Sequence, residues 1–158
     1  METIQNLISV LKDQKRLYEE LYQLLMDEKD IIINWDIDRM MELPKIKDTF
    51  FYKEKMLEES RKNIEKKLKD ELNIEINNID DILKNLEDHK LREEIISLRD
   101  ELLALIDKIS AENNKVKVLY NTNLKLISDF FSRVGVMDEK SGYSPKGAPV
   151  YSRVVNRG

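Results

Sequence analysis

No glycine occurs before Gly135, and of the three prolines only Pro44 precedes it. Glycine costs a helix interior ~1 kcal/mol and proline ~3 kcal/mol, so a stretch lacking both is free to form very long helices. All four glycines, with Pro145 and Pro149, gather between Gly135 and Gly158. The chain therefore divides into a helical body, residues 1–134, and a flexible tail, residues 135–158. At 158 residues, one domain is expected. Charged residues make up 37% of it, well above the usual quarter. That excess points to an elongated body with a thin core and much exposed surface.

Net charge is -4, which disfavours non-specific nucleic-acid binding. The charge is uneven. Arg133, Lys140, Lys146, Arg153 and Arg157 outnumber Asp138 and Glu139, so residues 133–158 carry +3 and the remainder -7. A basic tail of this kind is suited to an acidic surface. There is no cysteine, hence no disulfide framework and no thiolate chemistry. Met1 to Lys12 is amphipathic and lacks the basic start and apolar run of a signal peptide. No stretch approaches 18 apolar residues, so no membrane insertion is expected. The expected setting is the cytoplasm.

Heptad rows mark the helices. Ile4, Leu11, Tyr18, Leu25 and Ile32 recur every seven residues, with Val10, Leu17, Leu24 and Ile31 in a row beside them. This predicts a first helix from Thr3, as N-cap, to Ile33. Asn34-Trp35-Asp36-Ile37-Asp38 interrupts it, since Asn and Asp favour caps and turns. Trp35 is expected to plug the bundle end. A second helix begins near Asp36 or Asp38 and reaches Leu72. Pro44 either kinks it or sits at the N-terminal edge of a new start. Its apolar stripe (Leu43, Phe50, Leu57, Ile64) is narrow and charges dominate from Lys53 to Glu71, so it reads as a half-solvated antiparallel arm on the first helix.

Residues 73–78 read as a connection, and a short helix is expected over 80–86. The longest helix runs from Lys90 to Ser132, roughly 60 Å. One of its rows holds Ile95, Leu102, Ile109, Val116 and Phe130; the next holds Leu91, Leu98, Leu105, Leu119 and Leu126. Asn123 and Glu112 intrude. Ile96, Leu103, Ile106 and others widen the face enough for two neighbours. The expected fold is all-α: an antiparallel, coiled-coil-like bundle of three long helices, with the last one in the middle of the contacts.

Catalytic signatures are sparse. His89 is the one histidine, and it raises the possibility of a phosphotransfer domain. Such domains carry lysine and glycine three and four residues on, where this chain has Arg92 and Glu93, and an acid there repels phosphate. A carboxylate-bridged metal site needs Glu-x-x-His pairs, but residue 86 is Leu. Acids interleaved with lysines, as in Lys53-Glu54-Lys55, describe a solvated helix face. No phosphate loop, nucleophile elbow or zinc spacing is present. No enzyme, metal or cofactor is expected.

The end of the long helix carries Leu119, Tyr120, Leu124, Leu126, Ile127, Phe130, Phe131 and Val134. By these boundaries it is longer than its neighbours, so its last turns can outrun the partners that would cover them. The residues alone leave two readings open: an unpartnered apolar face that recruits another helix, or closure of the bundle's own core.

Several segments, in order, resemble the FlgN family of flagellar export chaperones across nearly the whole chain. The second helix has spaced lysines (Lys47, Lys53, Lys55) and the run Leu57-Glu58-Glu59-Ser60-Arg61. The last helix has asparagines at 113 and 114, then Val118-Leu119 and Leu124. Tyr143, with Gly147 four residues on, is similar to the family's tail. A second asparagine common in the family falls at Val116, a departure.

The resemblance implies a chaperone that binds the helical ends of hook-associated (hook-filament junction) proteins, prevents their premature assembly and delivers them to the type III export apparatus. The implied cargo surface is Val116, Leu119, Tyr120, Leu124, Ile127, Phe130, Phe131 and Val134. Tyr143 is implied to dock the export gate. The alternatives are a self-associating structural coiled coil and the phosphotransfer domain. Glu112 and Asn123 weigh against a uniform coiled coil, because buried polar residues restrict register and partner number.

Overall fold

A computed structural model of the chain describes residues 2–133, except the side chains of Ile127, Phe130 and Phe131. Four helices follow in order: α1 (Glu2–Ile33), α2 (Ile37–Leu72), α3 (Ile79–Lys84) and α4 (His89–Arg133). The long elements are the expected ones. Val134 and the tail lie outside the described residues.

Side-chain bonds between the helices fix the directions. Near one end the Thr3 hydroxyl donates to Glu71 at 2.7 Å, and towards the other Lys47 Nζ donates to Glu28 at 2.8 Å, so α2 runs antiparallel to α1. Lys12 lies 2.9 Å from Glu94 and Lys29 2.6 Å from Glu112, so α4 runs parallel to α1. The result is an up-down-up bundle. Its central member is α1 and not α4. Helix α1 packs along both α2 and α4, whereas the α2 and α4 backbones never approach closely among the described residues. The reason is in the adjoining rows of α1, which bury both sides of one helix: Ile4, Leu11, Leu25 and Ile32 in the first row, Leu17 and Ile31 in the second. Helix α2 buries only Leu43 and Leu68 over 36 residues, the half-solvated arm expected.

Only Asn34, Trp35 and Asp36 separate α1 from α2. The Trp35 N–H donates to the Ile32 carbonyl and the Asp36 N–H to that of Ile31, the double bond pattern that closes a helix around a left-handed residue. Trp35 is that residue, with φ 54°. Asp36 then caps α2, its carboxylate accepting from the Arg39 N–H. This geometry turns Trp35 outward, 47% exposed, so it does not plug the bundle end. Thr3 is not an N-cap either: it lies inside α1, buried, with its hydroxyl on Glu71. Pro44 neither starts nor ends a helix. It sits inside α2, removing one ladder bond at the Met40 carbonyl, while buried Leu43 holds that turn on the bundle.

The core is in two parts. The larger joins Ile4, Leu7 and Leu11 of α1, Leu68 of α2, Ile82 and Leu83 of α3, and Ile95, Leu98 and Leu102 of α4. Helix α3, including Ile79, and the flanking Ile76 and Leu86 belong to this part; Asn78 caps α3 by accepting from the Asp81 N–H at 3.1 Å. The smaller part is Leu25, Ile32 and Val116, with Met40, Ile109, Leu119 and Tyr120 packed on it. The molecule is thus dense at the α3 end and thinly packed at the α1–α2 turn.

Candidate functional site

The register between α1 and α4 sets what α4 has left over. With Lys29 against Glu112 and Ile32 packed with Val116, the last residue of α1, Ile33, falls level with about residue 117. Helix α4 continues to Arg133, roughly 24 Å further at 1.5 Å per residue. The start of α2 returns at this end, and Met40 shares the smaller core with Leu119 and Tyr120. Beyond Tyr120 the apolar stripe loses cover: Leu124 is half-buried and Leu126 is 54% exposed. Past Leu102, the one fully buried apolar side chain of α4 among those described is Val116.

The residues named from the sequence therefore divide. Val116 is inside, packed on Leu25 and Ile32 as part of the bundle's own core. Leu119 and Tyr120 are half-buried at its edge, and Leu124 lies on the projecting arm. Ile127, Phe130, Phe131 and Val134 continue along the sequence of that arm, but their side chains, and Tyr143, lie outside what is described. The sequence reading missed a second exposed group. Ile33, Trp35, Ile37 and Met41 all stand open around the α1–α2 turn. The available signal was local: a tight turn forces its residues outward whatever their polarity.

A polar layer sits beneath the start of the arm. Glu28 of α1 is fully buried, and its Oε2 accepts from Lys47 Nζ of α2 at 2.8 Å and from the Tyr120 hydroxyl of α4 at 2.9 Å. Oε1 of Glu28 has no partner among the described residues. One carboxylate thereby ties all three long helices together. Burial, and then the negative charge of Glu28, push the Tyr120 phenol well above its ordinary range. Helix α4 carries a second buried acid. Glu112 is held by Lys29 and by Lys115 at 3.3 Å, which keep its carboxyl below the usual range. The intruder in the heptad is thus flanked by two cations, although its Oε2, like Glu28 Oε1, makes no hydrogen bond among the described residues.

Elsewhere the charges are paired zippers. Lys12–Glu94 and Lys15–Glu101 line an open cleft of about 500 Å³ between α1 and α4. The Lys15 amine is raised by its bond to Glu101, and the Glu101 carboxyl is lowered by the same bond. His89 opens α4, 86% exposed, with Glu93 one turn on at 3.9 Å. A phosphate on that imidazole would face this carboxylate. Among the described residues no three metal-ligating side chains gather, and no helix is long and apolar enough to cross a membrane.

The described residues thus form a thin helical body whose longest helix outruns its neighbours with Leu126 exposed on it. Over residues 1–150 the chain matches the family described as FlgN protein, and it belongs to that family, the flagellar export chaperones. No individual curated protein and no solved structure matches it.

Proposed function

We propose that this chain is a cytoplasmic chaperone of hook-associated (hook-filament junction) proteins. It holds their helical ends, keeps them from assembling early and hands them to the type III export gate, with Tyr143 of the tail as the docking residue. The observation that supports this is the reach of α4 past the end of α1, with Leu126 exposed on it. An amphipathic cargo helix laid on that arm covers apolar surface that has no partner among the described residues.

The test is mass measurement in solution, with and without the C-terminal segment of a junction protein. A one-to-one complex is expected, and a homodimer indifferent to cargo refutes the reading. Leu119→Asp with Phe130→Asp is expected to abolish the complex while helix content, read by circular dichroism, survives. Leu119 also touches the smaller core, so Leu126→Asp, at an exposed site, serves as the second variant. Unchanged binding in both moves the cargo off the arm.

A further inference from the structure

The waist of the body, between the two cores, has an open trough that a short stretch of this same chain fills at one end only. Ile96 of α4 packs into the larger core, and Arg99 of α4 is bonded to Asp80 of α3. So α3 covers this flank of α4. One heptad further on, the same flank is Leu103 and Ile106, since a helix drifts only about 20° per heptad. Among the described residues nothing covers it here: Leu103 is 55% exposed and Ile106 47%. Across the trough, Phe51 of α2 is 62% exposed and helps form a cleft of about 210 Å³ with Phe50, Leu17 and Leu21. The α2 and α4 backbones do not approach closely, and among the described residues no segment fills the space between these walls. From Leu11 of the larger core to Leu25 of the smaller one is about 14 residues of α1, roughly 20 Å.

We propose that this waist trough seats a three- to four-turn amphipathic helix of the partner, apolar on one face and acidic beside it, which extends the track of α3 and completes a local four-helix body. The filled end shows the occupant's chemistry: apolar Ile79, Ile82 and Leu83 inward, and an aspartate on Arg99. The free charge on the α2 rim agrees. Glu54 accepts from Tyr18, and Glu58 and Glu65 are both taken by Arg61. Lys55 and Lys62 are exposed, and among the described residues no acid lies within ion-pair distance of either. A lysine-rimmed apolar surface favours a partner helix with acidic residues beside its apolar face. The partner's identity rests on the chaperone reading above; the place of its seat does not.

The experiment is calorimetric titration of the full-length chain with the helical C-terminal segment of a junction protein, alongside thermal melts of each variant. Leu103→Asp with Ile106→Asp is expected to weaken binding by at least ~10-fold. Lys55→Glu with Lys62→Glu, which touches no core residue, is expected to weaken it by ~3–10-fold, and the loss should shrink at high salt. Wild-type affinity in both, with loss in Leu126→Asp, puts cargo on the arm alone: the trough proposal falls and the chaperone reading stands. A wild-type dimer that Leu103→Asp with Ile106→Asp makes monomeric assigns the trough to self-association and also overturns the proposal. Failure of the unaltered chain to bind any junction-protein segment removes the chaperone reading and its trough occupant together.

Discussion

Replacing Tyr120 by phenylalanine isolates the one bond through which α4 joins the buried carboxylate. The change keeps the ring and removes the hydroxyl that donates to Glu28 Oε2 at 2.9 Å. Glu28 is 0% exposed and its Oε1 has no partner among the described residues, so water cannot readily replace the lost donor. A hydrogen bond to a charged group is worth about 1.5–3 kcal/mol net. Tyr120 is only half-buried, so the lower end applies, about 1.5 kcal/mol. For a body of this size that lowers Tm by about 5 °C. Urea unfolding followed by circular dichroism measures the loss, and hydrogen exchange over residues 113–121 locates it. The same substitution made on Glu28→Leu should cost far less, because no carboxylate is left to strand. A loss below about 0.3 kcal/mol, or an equal loss in both backgrounds, refutes the claim that Glu28 pins α4 through Tyr120.

Two further outcomes follow from the same coordinates. The phenols of Tyr120 and Tyr18 both sit above the ordinary 10.0, raised first by burial and then by Glu28 and Glu54 respectively. A group whose folded pKa is raised contributes stability that is present below its unfolded pKa and lost above it. Tm should therefore fall as pH rises beyond about 10, and Tyr18→Phe with Tyr120→Phe should flatten that fall in a pH series of melts. Trp35→Gly should stabilise the chain, because φ 54° costs a bulky residue roughly 1–2 kcal/mol and glycine almost nothing. A drop in Tm instead would mean that the half-buried face of the indole holds the end of the bundle shut.

The two cores bear on how the arm and the trough work together. The α3 end is held by a contiguous cluster drawn from all four helices, whereas the turn end rests on three fully buried apolar side chains and the Glu28 layer. Local opening is cheapest where buried apolar contacts are fewest. On the function proposed above, cargo engaging the arm would act on the less stable half of the molecule, while the dense half keeps the helices in register.

The helices themselves were legible in the chain, because heptad spacing and the lack of glycine act within one segment and need no partner. The rows through Ile4 and Ile95 located α1 and α4 to within one or two residues, and charges from Lys53 to Glu71 marked α2 as half-solvated. Residues whose role depends on another segment were not legible. Thr3 has the chemistry of a cap, yet Glu71, 68 positions away, draws it into the interface. Trp35 has the chemistry of a plug, yet a turn needing one left-handed residue puts it outside. The wide apolar face of α4 suggested the central helix, but that width faces a trough left by α2. Pattern along a chain dictates which side chains share a face; only the packing of whole helices against one another decides which of those faces is covered and which is left for a partner.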